Sequence, residues 1–120
     1  MTAAELLREI GIPGNYVGYK QLLYAVELVT EDEDRVLNVY RDVYLPVGQR
    51  CNTSATNVEK NIRTVLQAAW QRGDFTRIRY GRIAGYNCPK RPAAGEFLDV
   101  VSDYLRSAGR KSEADHMAVR

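Results

Sequence analysis

"CNTSATNVEKNIRTVLQAAWQRGD", Cys51 to Asp74, is the stretch on which the reading of this chain turns. Asn52, Thr53 and Ser54 form a tight turn, and their side-chain oxygens can accept from the free N–H groups at a helix start. From Val58 onward, Ile62, Val65, Leu66, Ala69 and Trp70 recur at spacings of three and four, a buried stripe about three turns long. Gly73 is a natural C-terminal stop. The spacing predicts one amphipathic helix over about 55–72. Its first turns carry Thr56, Asn57, Glu59, Lys60, Asn61 and Arg63, and its later turns carry Leu66, Ala69 and Trp70.

Immediately upstream, Pro46 forces a new start, and "LPVGQRC" (Leu45 to Cys51) supplies one or two helical turns. A short helix, a three- or four-residue turn and a longer helix describe a helix-turn-helix. In that motif the second helix lies in the major groove: its first turns touch base edges and its later turns bury themselves in the domain. The residue types suit the chemistry. Arg and Lys donate to guanine O6 and N7, Asn bonds adenine bidentately, and Glu accepts from cytosine N4. Glu59, Lys60, Arg63, Asn61 and Thr56 are the candidates for base contacts, with Thr56, Lys60 and Arg63 on one face. Thr53 and Ser54 stand at a helix start that can bind phosphate, with Asn57, Arg50, Lys90 and Arg91 as further phosphate candidates. A solvated polar face on an ordinary amphipathic helix is the alternative that periodicity alone leaves open.

The rest of the chain is helical in pattern. Thr2 caps a helix running to Ile10, with Glu5 at the capping-box position, and "GIPGN" ends it. A second helix ends near Thr30, with Tyr19, Leu22, Leu23, Val26 and Val29 inward. The acidic run "TEDED" (Thr30 to Asp34) reads as a solvated turn at the positive end of a third helix, about 35–43, with Val36, Val39, Tyr40 and Val43 on one face. "FTRIRYGRIAGYNCPKRP" reads as a loop with short helical or strand-like pieces, and "AAGEFLDVVSDYLRSAG" as a final helix with Phe97, Leu98, Val101, Tyr104 and Leu105 inward. The expectation is an all-α, compact bundle of about six helices: a helix-turn-helix domain over 1–109 and a polar, disordered tail over 110–120.

Composition narrows the function. The net charge is only +2, yet residues 50–92 carry nine Lys/Arg against two Asp/Glu, whereas residues 1–49 carry four against eight. A basic segment inside a nearly neutral chain recruits polyanions, nucleic acid first among them. Cys51 and Cys88 form no CxxC pair, and the one histidine, His116, lies in the tail, so no metal site and no cofactor are expected. No catalytic residue emerges either: neither cysteine has a partner histidine in the core, Ser54 is explained as a cap, and the acidic run lies on an exposed turn. Trp70 and most of the eight tyrosines read as core packing, with Tyr80 and Tyr86, in the basic loop, as candidates for base stacking. No apolar run approaches the roughly 18 to 20 residues of a membrane span, and the start lacks the layout of a secretory signal, so a cytoplasmic protein with no membrane partner is expected.

These residues also resemble a known family, the C-terminal effector domain of the sporulation stage-zero response regulator. The resemblance covers roughly Leu6 to Ala108 and rests on "GIP" with a following "GY" (Gly11 to Pro13, Gly18, Tyr19), "VYLP" (Val43 to Pro46), the quoted helix region, and "EFLDVVSDYLR" (Glu96 to Arg106). It implies a six-helix domain that reads a short AT-rich box with a central CG step, binds double-stranded DNA with one copy per tandem box, and takes its base contacts from Glu59, Lys60 and Arg63. It also implies a contact with the RNA polymerase sigma factor from the region after the recognition helix, Phe75 to Tyr86, which here carries Arg77, Arg79 and Arg82 and leaves binding to DNA backbone open as the alternative. Two positions depart from the family: Lys60 replaces the usual Arg, losing its planar fork, and Asn61 replaces a small apolar residue. The receiver domain that precedes the effector domain in the family is not among these residues, which leaves an excised piece and a free-standing relative both open. The rival function is a protein-interaction module that keeps the helix-turn-helix core without specific DNA binding.

Overall fold

A computed structural model describes the backbone of residues 1–118 and the side chains of residues 1–109, so His116 and the other side chains of the expected tail lie outside the described residues. Six α-helices are present among the described residues: α1 (Ala3–Ile10), α2 (Val17–Glu31), α3 (Leu45–Arg50), α4 (Ala55–Gln71), α5 (Asp74–Ala84) and α6 (Ala94–Ala118). A 3-10 segment, Glu33–Asn38, and a π-helical turn, Tyr40–Tyr44, join α2 to α3, and no strand occurs among the described residues. The all-α bundle expected from the periodicity is the fold.

Local chemistry sets the boundaries. Thr2 caps α1 by accepting the Glu5 N–H at 3.1 Å, and its hydroxyl donates back to the Glu5 carboxylate at 3.2 Å, a reciprocal capping pair. Gly11, at φ +95°, supplies the left-handed residue that ends α1. In the acidic run, Asp32 accepts the Asp34 N–H at the start of the 3-10 segment, so this cluster serves as a cap. Arg106 of α6 closes the other side of the same junction: it donates to the Val29 carbonyl at 2.8 Å and lies 3.5 Å from the Glu33 carboxylate.

α2 and α6 pack through the middle of the bundle, with α4 crossing α2 and α1 and α5 closing one end. Leu6, Leu7, Ile10, Leu22, Val26, Val29, Ile62, Leu66, Phe97 and Leu98 are fully buried there. Each such side chain contributes on the order of 1.5–3 kcal/mol by leaving water. An aromatic trio fills the end near α5: Tyr80 stacks on Phe97 with centroids 5.5 Å apart, and Trp70 meets both edge-on at 5.3 and 6.3 Å.

The structure corrects several expectations. The third helix, expected over about 35–43, is a 3-10 segment followed by a π turn. Pro46 accounts for the π turn, because it has no N–H to offer the Asp42 carbonyl four residues back and its ring crowds that oxygen. The chain widens to a π turn in which Leu45 donates to Tyr40, and the Arg35 guanidinium takes up the orphaned Asp42 carbonyl at 2.6 Å. Tyr40, expected inward, is consequently half exposed. The segment Phe75 to Tyr86, expected as a loop, forms most of α5, with Asp74 in its first turn and Gly85 as a left-handed stop. Tyr104, expected inward, is exposed.

Candidate nucleic-acid interface

The junction of α3 and α4 is built by backbone geometry. At the end of α3 the Thr53 N–H donates to the Gly48 carbonyl at 2.8 Å and the Asn52 N–H to the Gln49 carbonyl at 3.4 Å, the paired bonds of a Schellman stop. Asn52 holds the left-handed position at φ +56°, which asparagine tolerates better than other side chains. A Cβ on Gly48 would stand 2.7 Å from the Thr53 oxygen, so the chain can fold back this tightly only over a glycine. Ser54 then opens α4 in extended conformation, its hydroxyl accepting the Asn57 N–H at 3.1 Å. The Asn57 amide donates to the Thr53 hydroxyl at 3.1 Å, which ties the turn to the first turn of the helix.

α4 has two unlike sides. Val58, Ile62, Val65, Leu66 and Ala69 are buried, and Trp70 is half-buried against the core. Thr56, Lys60 and Arg63 face outward along the opposite side, and neither Lys60 nor Arg63 has an ion-pair partner among the described residues. Glu59 is half-buried beside this row. With Arg63, Arg91 and the stretch Ala93–Gly95 it lines an open cleft floored by Tyr44. Burial, reinforced by the Glu59 charge and opposed by Arg63, pushes the Tyr44 phenol up to about 12.

The other candidates fall around this row. Arg50 is exposed at the end of α3, with its guanidinium 3.6 Å above the Tyr24 ring. Lys90 and Arg91 are exposed in the segment between α5 and α6, and only Arg91 reaches the cleft. Asn61 departs from the expected row: it is half-buried and donates its amide to Gln21 of α2 at 3.2 Å, because its place on the helix turns it towards the α2 crossing. Of the two tyrosines singled out for stacking, Tyr80 is fully buried. Tyr86 is exposed and donates its hydroxyl to Glu96.

One residue beside the row was missed. The Tyr40 hydroxyl lies 3.1 Å from the Thr56 hydroxyl. Periodicity placed Tyr40 inward, and only recognition that Pro46 demands a wider turn upstream could have turned it outward. The arginines of α5 also gain a setting: Arg77 pairs with Asp74 at 3.2 Å, Arg79 lies 4.9 Å over the Phe75 ring, and Arg82 is exposed. Both cysteines are free thiols, with Cys88 buried, and no group of three metal-ligating side chains occurs among the described residues. No helix among the described residues is long and apolar enough to cross a membrane. Residues 3–105 match the protein family described as sporulation initiation factor Spo0A C terminal.

Proposed function

Because the chain belongs to the family of Spo0A C-terminal domains, which are DNA-binding effector domains of transcription regulation in sporulation, we propose that it reads a specific duplex sequence by placing α4 in the major groove. The observation that carries this reading is the two-sidedness of α4. Its buried stripe anchors it to the core while Thr56, Lys60 and Arg63 are exposed on the opposite side. In this reading α3, the turn and α4 act as a helix-turn-helix. Glu59, Lys60 and Arg63 meet base edges, and the open N-terminus of α4, with Thr53, Ser54, Asn57 and Arg50, meets phosphate. Lys90 and Arg91 hold the flanking backbone. Asn61, committed to α2, has no part in base reading.

The same proposal places the protein in the cytoplasm, a second copy on an adjacent site, and α5 as the surface offered to a sigma factor. Phe75, Ile78 and Tyr86 support that last element by leaving large apolar area exposed along and just after α5. A regulatory rather than catalytic role follows from the family and from a site whose groups suit binding.

Selection of bound sites from random duplexes, followed by salt titration on the preferred one, tests the proposal. A discrete preferred sequence is expected, with affinity falling at a log–log slope of about −0.9 per neutralised phosphate. Weak, sequence-blind binding would instead support an adaptor that kept the fold and works through protein contacts.

A further inference from the structure

We infer that Tyr40 is a positioning residue for sequence reading, holding the Thr56 hydroxyl in a single orientation at the groove-facing end of α4. The inference rests on the proposed role of α4. Two independent features lead to it. The first is the turn that carries Tyr40: Pro46 removes one helical hydrogen bond, the chain takes a π turn over Tyr40–Tyr44, and the ring swings outward instead of into the core. The second is where the ring arrives. Its hydroxyl lies 3.1 Å from the Thr56 hydroxyl, while the residue is still 50 % exposed.

The chemistry of the pair gives the role. A threonine hydroxyl near a helix N-terminus can turn about χ1, and its methyl turns with it. A phenol bonded to that oxygen selects one rotamer. When the Tyr40 O–H donates to Thr56, the Thr56 proton is left to donate outward to a base or phosphate acceptor, and the methyl keeps a fixed side for contact with a thymine methyl. Thr56 shares its face with Lys60 and Arg63, so its orientation bears on the same base steps. Ser54 already caps α4 through Asn57, which frees the Tyr40–Thr56 pair from any capping duty.

The test is a double-mutant cycle on the preferred duplex, with site selection repeated for each variant. Tyr40→Phe keeps the ring and removes the hydroxyl, and Thr56→Val keeps the shape and removes the partner. Each single change is expected to weaken binding about three- to tenfold and flatten preference at the same base pair, and the double variant is expected to lose no more than either single one. A merely structural pair would lower melting temperature and leave base preference alone, which overturns the inference. So does a Tyr40→Phe protein that selects like its parent, or losses that multiply in the double variant. Lys60→Ala and Arg63→Ala are measured alongside: site preference retained in both variants defeats the proposed role of α4 itself and the inference with it. Loss of preference in either, with an unchanged Tyr40→Phe, defeats the inference alone.

Discussion

Gly18 of α2 and Asn61 of α4 meet at a crossing so close that a Cβ on Gly18 would stand 2.1 Å from the Asn61 carbonyl oxygen. The obstacle is backbone, which cannot rotate aside as a side-chain end would. Gly18→Ala must therefore push α2 away from α4 and strain the Asn61–Gln21 hydrogen bond beside the contact. Overpacking of this kind costs at least about 1–3 kcal/mol, or about 4 °C in Tm per kcal/mol for a domain of this length. Urea unfolding of the two proteins checks it, and equal midpoints would mean that the helices cross less tightly.

Trp70 anchors the far end of α4, and Trp70→Ala is expected to cost about 3 kcal/mol, the lower end for aromatic truncations. The indole is half-buried, and its buried N–H has no hydrogen-bond partner, which offsets part of its packing energy. The edge contacts to Tyr80 and Phe97 are lost with it. Because Trp70 stands at the opposite end of α4 from Thr56, the folded variant is expected to select the same duplex sequence. A changed preference would show that the two ends of the helix are coupled.

What could be read from the chain alone follows the physics of each signal. α4 was legible because three signals agree: a capping serine, an apolar stripe at helical period and a glycine stop. α5 was not, because Phe75, Ile78, Tyr80 and Ile83 are β-branched or aromatic and Gly81 interrupts them. The packing of Thr76 and Tyr80 against the bundle helps to hold that segment as a helix, a tertiary effect that propensity does not carry. Tyr40 failed for a different reason, since a π turn breaks the period that an inward assignment assumes. In the candidate interface, residue types were readable but directions were not. Lys60 and Asn61 are neighbours in sequence, yet one faces solvent and the other binds Gln21.

Tyr44 makes folding sensitive to alkali. Its phenol is raised from an ordinary value near 10 to about 12, chiefly by burial. The unfolded chain therefore releases this proton first as pH rises. The contribution is fully present below about pH 10 and is lost as pH climbs to about 12, a loss on the order of 2 kcal/mol. The net charge of the whole chain also changes at alkaline pH, so the informative quantity is the stability difference between the parent and Tyr44→Phe. That difference is expected to shift in favour of the phenylalanine protein from pH 9.5 towards 12, and a constant difference would mean that the phenol reaches water.

Arg63 tests recognition directly. Arg63→Ala is expected to weaken binding to the preferred site by about 1–3 kcal/mol and to relax the base preference at one position, because the proposed bidentate pairing is lost there. Lys60→Arg is expected to act in the other direction, sharpening preference for guanine by restoring a planar fork to the same exposed position. Gel-shift titrations on the selected site and on single-base variants separate these outcomes. Equal weakening of Arg63→Ala on every sequence would reduce that side chain to a phosphate contact.

Lys90 and Arg91 lie outside α4, in the segment that leads into α6, and their charges have no ion-pair partner among the described residues. A free cation near the duplex neutralises one phosphate and releases its counterions, whatever the sequence. Lys90→Ala or Arg91→Ala is therefore expected to weaken all duplexes alike and to reduce the log–log salt slope by about one unit each. Arg91 shares its cleft with Glu59 and Arg63, whereas Lys90 does not. Any sequence-dependent part of the loss should accordingly appear for Arg91 alone. A slope that stays the same in both variants would remove this segment from the interface and confine DNA contact to the α3–α4 unit.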